Sequence, residues 1–144
     1  MNAAHHIKLV VPAVSDFISV VRLAISGIAS RMNFTIDEVE DIKLAVSEAC
    51  TNSVRHAYDK GVGEIYIDCM LQEETLVISI KDTGKGFDTQ NIVSPSQTGD
   101  SPIGLGLGLT FIKSLMDSLE VTSSVGQGCT VVMSKKKVPA NTSC

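Results

Sequence analysis

The chain has 144 residues, 44% hydrophobic and 19% charged, with a net charge of −4 and a pI near 5.3. That size supports a sizeable core within a single domain, 1–144, and the composition is that of a globular chain. The acidic balance argues against direct nucleic-acid binding, and no apolar run reaches membrane length. Neither a basic start nor a continuous apolar stretch marks a signal peptide. Cys50, Cys69, Cys129 and Cys144 lack metal-like spacing and read as reduced thiols of a cytoplasmic protein.

In chain order, Ile7 to Val11 predicts a strand and Asp16 to Arg31 a helix. Phe17, Val20, Val21, Ala24, Ile25 and Ile28 form the apolar stripe of that helix. Arg22 interrupts the stripe, either snorkelling to solvent or reaching a partner. Residues 35–58 predict a second helix. Thr35 and Glu38 have the spacing of a capping box, and Phe34 and Val39 that of a hydrophobic staple. Ile42, Val46 and Ala49 supply its core stripe.

Within this helix Glu48 and Asn52 are i and i+4, so both stand on one face, one turn apart. They read either as a solvated face or as a chemical pair. An amide oxygen with substrate phosphates can hold magnesium. A carboxylate one turn away can take a proton from an attacking hydroxyl. Arg55 and His56 read as a solvated helix end, where a cation suits the dipole.

Residues 63–71 and 75–81 alternate as strands around a short link and predict an antiparallel hairpin. Asp82 closes the second strand, followed by Gly84 and Gly86. Such a segment is either a plain turn or a carboxylate fixed to accept from an exocyclic amino group, with glycines allowing close approach. Residues 88–103 are rich in Ser, Thr, Pro, Asn and Gly and read as a lid, about 87–104, or a disordered loop. Gly104, Gly106 and Gly108 then open an amphipathic helix carrying Leu109, Ile112, Leu115, Met116 and Leu119. A helix start free of side chains suits phosphate, and close helix packing explains it equally. Neither a P-loop nor GxGxxG is present.

Residues 119–125 and 128–134 predict a last hairpin around Gly126-Gln127-Gly128. Thr130 in its second strand is either a β-branched filler or an aid at a base pocket. Lys135 to Lys137 read as solvated. The order β-α-α-β-β-lid-α-β-β predicts an α+β two-layer sandwich, with helices on one face of a mixed, mostly antiparallel sheet.

The Glu48-to-Asn52 helix, the Asp82-x-Gly84-x-Gly86 turn, the lid and the Gly104/Gly106/Gly108 helix resemble the N, G1 and G2 boxes of the GHKL ATPase superfamily, with its Bergerat fold. Residues 20–32 and 42–58 are similar to the bacterial anti-sigma-factor serine kinases of the general stress-response type. The resemblance covers nearly the whole chain. It implies ATP and Mg2+ as cofactors, with Asn52 the magnesium ligand and Glu48 the base that activates a substrate serine. Asp82 would bind the adenine amino group with Thr130 nearby, Gly84 and Gly86 would shape the pocket, and Gly104, Gly106 and Gly108 would approach the phosphates. The partners implied are a sigma factor, which the protein sequesters, a small STAS-type anti-anti-sigma protein, which it phosphorylates on serine, and a second copy in a homodimer. Three other readings stay open: a switch kinase acting on a scaffold, a non-catalytic sequestering module and a histidine-kinase catalytic domain.

Overall fold

The structure, a computed structural model, describes residues 4–57, 63–84, 103–123 and 125–138. Strand β1 (His5–Pro12) leads through a 3-10 turn (Ser15–Phe17) into α1 (Ile18–Arg31). Helix α2 (Ile36–Asn52) continues as a π-helical stretch (Ser53–Ala57). There follow β2 (Glu64–Leu71), β3 (Thr75–Asp82), α3 (Ile103–Leu115), β4 (Ser118–Ser123) and β5 (Cys129–Lys136).

The five strands run in the order β1-β2-β3-β5-β4. Among the described residues every pairing is antiparallel, in keeping with the mostly antiparallel sheet expected. Alternation decides which face is covered. Ile65, Ile67 and Cys69 of β2, Leu76, Ile78 and Ile80 of β3, and Val131 and Met133 of β5 are buried. They line the face that carries the helices. On the other face Val10 and Tyr66 are exposed. The architecture is the expected α+β sandwich of one sheet and one helical layer.

Helix α2 lies between α1 and α3 and contacts both. Its Ile42, Ala45, Val46, Ala49 and Cys50 are buried from one end to the other. Helix α1 buries only Val21, Ile25, Ile28 and Ala29, spaced i, i+4, i+7 and i+8. Phe17 and Val20, expected in its core stripe, are exposed, as is Leu23 at 75%. The reason is position: among the described residues α1 packs chiefly on one helix, α2, which leaves its apolar residues beyond a narrow seam exposed. Arg22 lies among these exposed residues, in a cleft lined by Ser19, Leu23, Glu40, Lys43 and Leu44.

The start of α2 is fixed as its sequence predicts. The Thr35 hydroxyl accepts from the Glu38 N–H at 3.1 Å, and the Thr35 N–H donates to Glu38 Oε1 at 2.8 Å. Phe34 and Val39 are both buried, as a staple requires. Glu38 does more than cap: its Oε2 accepts from the Val138 N–H at 3.0 Å, tying the segment after β5 to the helix. Lys135, in turn, donates to the Leu115 carbonyl at 2.5 Å and stands 3.6 Å from Asp41. Burial alone would raise the Glu38 pKa, but the N–H groups of Thr35 and Val138, the Thr35 hydroxyl and the Lys135 charge outweigh it and hold it below its usual value.

A carboxylate depressed on folding stabilises the protein above its unfolded pKa, and that contribution fades as pH falls through the folded value. Glu38→Gln is therefore expected to cost about 1–2 kcal/mol near neutral pH. The difference from wild type should shrink below about pH 4.3, the ordinary Glu value. Urea unfolding across a pH series checks this. A penalty unchanged at about pH 3 would mean that the ionised carboxylate is not its source.

Candidate functional site

The site forms where the C-terminal end of α2 meets the end of β3 and the N-terminal half of α3. Asn52 ends the α-helical part of α2 and is 93% buried, at 7% exposure. Its Nδ2 has no hydrogen-bond partner among the described residues. A buried amide left unpaired costs roughly 1–3 kcal/mol, so the position favours a group that arrives from outside the fold. The two ends of an amide exchange by rotation, so the free end can equally be the oxygen.

Gly108 of α3 faces this amide. A methyl group placed on it would stand 2.7 Å from Glu48 Oε2, 2.9 Å from Asn52 Nδ2 and 3.3 Å from Asn52 Oδ1. Glu48 and Asn52 therefore converge on one point of the α3 backbone, as their i, i+4 spacing requires. The third glycine of the run is needed there because α3 could not approach the pair with any side chain. Gly104 and Gly106 lie in the first turns of the same helix, so the glycines sit inside α3 and do not merely precede it.

Asp82 occupies the other part of the site. Leu76, Ile78 and Ile80 are buried on the helix-covered face, and the next residue of that phase is Asp82, at 3% exposure. Two donors satisfy it. The Ser53 hydroxyl donates to Oδ2 at 2.9 Å, and the Gly84 N–H donates to Oδ1 at 3.0 Å. Gly128 packs against the backbone here. It has φ +83°, and a Cβ would run into the Asp82 carbonyl and lie 2.9 Å from Thr83 Cα. Glycine is thus required at the start of β5 by both conformation and space.

Thr130 is not where it was expected. The register sets it opposite Lys81, one residue out of phase with Asp82, and therefore on the sheet face away from the helices. The residue opposite Asp82 is Cys129. Burial and the Asp82 charge push its thiol up to about 11, against a smaller lowering by a Ser123 hydrogen bond. Gly86 and the expected lid up to residue 102 lie outside the described residues. Arg55 is exposed, as expected. Sequence reasoning does not single out Ser53 or Cys129. The usable signals are the register for Cys129 and, for Ser53, its place beside Asn52 at the helix end.

Chemically, the residues present fit a magnesium–nucleotide. Asn52 offers a hard amide oxygen, and phosphates and water would complete the shell of an ion that rarely uses an all-protein cage. Glu48 offers a proton acceptor within the same space. Asp82, an acceptor at both oxygens, can read an amino group. No group of three or more His, Cys, Asp or Glu able to hold a metal occurs among the described residues.

Comparison with known proteins decides the family. Residues 11–135 match the family of the histidine kinase-like ATPase domain. The chain is 42% identical over 141 residues to the serine-protein kinase RsbW of Bacillus velezensis, covering 93% of this chain and 87% of that protein. It is 43% identical over 142 residues to the serine-protein kinase RsbW of Bacillus subtilis, with the same coverage. The chain belongs to the RsbW family of histidine kinase-like ATPase domains. Among solved structures it resembles the RsbU and RsbW domains of Rv1364c from Mycobacterium tuberculosis, with a TM-score of 0.66 and 20% identity over 94% of this chain and 32% of that one. A histidine kinase domain from Erythrobacter litoralis has a TM-score of 0.57 at 21% identity over 88% of this chain and 62% of that one. These two likenesses concern the fold.

Gly108→Ala is expected to remove magnesium–ATP binding, because its methyl group takes the space between Glu48 and Asn52. Gly27→Ala is the matched control: its added methyl meets nothing within 4 Å on α1. It should bind normally and gain roughly 0.5–1 kcal/mol in stability. Titration calorimetry and thermal unfolding of the two variants check both statements. Normal ATP affinity in Gly108→Ala would show that α3 can withdraw from the pair at little cost.

Proposed function

We propose that this protein is an anti-sigma factor that sequesters a sigma factor and uses magnesium-ATP to phosphorylate a serine of a STAS-type anti-anti-sigma protein. As a member of the RsbW family it is an ATP-dependent protein serine kinase. The observation that carries the reading is the convergence of Glu48 and Asn52 on the Gly108 backbone, with Asp82 held on the neighbouring strand end. Relatives at 40–43% identity over most of the chain are named serine-protein kinases, which gives the phosphoryl acceptor its class.

In this reading each site residue has a role. Asp82 accepts from the 6-amino group of adenine, and Gly84 and Gly86 shape the space around the base. Gly104, Gly106 and Gly108 bring α3 backbone toward the phosphates, where a side chain would block approach and where the helix start favours negative charge. The Asn52 oxygen would hold magnesium, which when bound supplies positive charge to offset that of the phosphates. Glu48 receives the proton of the acceptor serine as its hydroxyl oxygen attacks the γ-phosphorus and the bond to the β-γ bridging oxygen breaks. Phosphoryl transfer needs little covalent help from the protein, so positioning and charge carry most of the rate.

Phosphorylation adds about −1.5 to −2 of charge to the partner at neutral pH and so can weaken its docking. The unphosphorylated partner then competes for the kinase, and the phosphorylated one leaves the kinase free to hold the sigma factor. The exposed Phe17, Val20 and Leu23, with Arg22 among them, offer a protein-binding surface on α1. A homodimer and a cytoplasmic location are part of this proposal. No helix among the described residues is long and apolar enough to cross a membrane.

The test uses γ-labelled ATP, magnesium and the small STAS-type proteins of the same organism, with wild type beside Glu48→Gln. Label on a partner serine, lost at least about 100-fold in Glu48→Gln at unchanged ATP affinity, is expected. Undiminished transfer would remove Glu48 as the base. Tight ATP binding with no label on any partner would favour a sequestering module. In parallel, Asn52→Ala should lose the magnesium dependence of nucleotide binding; normal calorimetric affinity with magnesium would exclude it as the ligand.

A further inference from the structure

We propose that Ser53 is the positioning residue of the base pocket: its hydroxyl fixes the Asp82 carboxylate so that the site selects 6-aminopurine nucleotides. The inference rests on the reading of Asp82 as the adenine acceptor, and it adds a residue to that recognition. Three observations support it.

The first is geometric. The two donors on Asp82 differ in kind. The Gly84 N–H belongs to the same turn as Asp82 and moves with it, whereas Ser53 comes from the helical layer, 29 residues away in sequence. A bond at each carboxylate oxygen sets the carboxylate plane, and rotating that plane would break both. The second is burial. Ser53 and Asp82 are 7% and 3% exposed, so solvent does not compete strongly for the 2.9 Å contact. A hydroxyl donating to a charged acceptor in such a place contributes more than a neutral pair does.

The third observation is the backbone. Asn52 and Ser53 are consecutive, and in a regular α-helix consecutive side chains point about 100° apart. Here the helix changes at Ser53 from α to π winding, and both residues are buried at the site. Single π turns recur at functional positions because they redirect side chains at a cost in helix stability. The roughly 100° between consecutive side chains lets this one helix end supply Asn52 toward the Gly108 backbone and Ser53 to the Asp82 carboxylate.

The chemistry gives a specific consequence. A carboxylate has about four acceptor positions, and two are occupied by Ser53 and Gly84. The rest can meet only donors. A 6-amino group satisfies one, a 6-oxo group faces acceptor with acceptor, and a purine with hydrogen at position 6 leaves it unpaired. If Ser53 only paid for burying the acid, its loss would weaken every nucleotide alike. If it orients the acid toward the base, its loss falls on nucleotides that carry the 6-amino group.

The experiment measures magnesium-dependent affinity of the full chain for ATP and for purine riboside triphosphate, which lacks the 6-amino group. Wild type is compared with Ser53→Ala, Ser53→Cys, Ser53→Thr and Asp82→Asn. Ser53→Ala is expected to bind ATP about 10-fold more weakly, about 1.4 kcal/mol. It should bind the analogue within about 2-fold of wild type, consistent with loss of one charge-assisted bond. Its kcat at saturating ATP should be retained while KM rises. Ser53→Thr, which keeps the hydroxyl, should restore the preference for ATP. Ser53→Cys, a near-isostere with a weak donor, should fall between and serves if Ser53→Ala does not fold. Equal weakening of ATP and analogue in Ser53→Ala or Ser53→Cys, or no weakening of either, overturns the proposal. Asp82→Asn separates the two readings. Loss of its ATP preference alongside an unaffected Ser53→Ala overturns only the role of Ser53. An ATP preference retained in Asp82→Asn overturns the adenine reading of Asp82 itself, and the role of Ser53 with it.

Discussion

A carboxylate placed inside a protein must be given donors, and at Asp82 that requirement joins the two layers of the fold. The acid sits on the covered face of the sheet at 3% exposure, where an unpaired charge would cost several kcal/mol even after relaxation. One donor is local and the other is Ser53, at the end of α2. The bond can form only if the end of α2 docks on the end of β3. Because α2 is a rigid rod on this scale, the same docking fixes Asn52 one residue earlier and Glu48 one turn before that. Helix α3 then closes over the pair at Gly108.

The burial of Asp82 is itself a consequence of strand periodicity. Leu76, Ile78 and Ile80 occupy alternate positions of β3 and pack under the helices. Carried one step further, the phase that buries three hydrophobic side chains also buries the acid. Gly128 completes the arrangement from β5, because the chain there passes so close to the Asp82 carbonyl that a Cβ has no room. Apolar packing thus decides where the acid goes, and hydrogen bonding decides how it is held. Neither would suffice alone, since a hydrophobic pocket without donors would expel the charge or neutralise it.

Much of this was legible in the sequence. The cap of α2 follows from Thr35 and Glu38, the pairing of β2 with β3 from their alternation, and the shared face of Glu48 and Asn52 from helical spacing. What was not legible depends on relations between distant segments. Whether Phe17 and Val20 are buried depends on how many neighbours α1 has, and periodicity along one helix does not carry that information. Whether Thr130 or Cys129 faces Asp82 turns on a single step of register, which flips every side chain of a strand to the other face. The π winding after Asn52 interrupts a run of residues that are unremarkable for a helix, and only the site around it gives a reason for the change.

Cys129 shows why the chemistry of this pocket rests on oxygen atoms. It lies opposite Asp82, and burial together with that negative charge pushes its thiol up to about 11. At neutral pH such a thiol stays protonated, and the thiolate is the reactive form. Cys50 and Cys69, buried in α2 and β2, are pushed up further, to about 12. All three are free thiols. For Cys129 the environment that makes it a poor nucleophile is the same one that makes Asp82 useful. A partly enclosed, weakly screened acid raises a neighbouring thiol and repels a 6-oxo group, while it attracts an amino group strongly. Placing a thiol beside a selective acceptor therefore adds a small apolar filler to the pocket without adding a competing nucleophile.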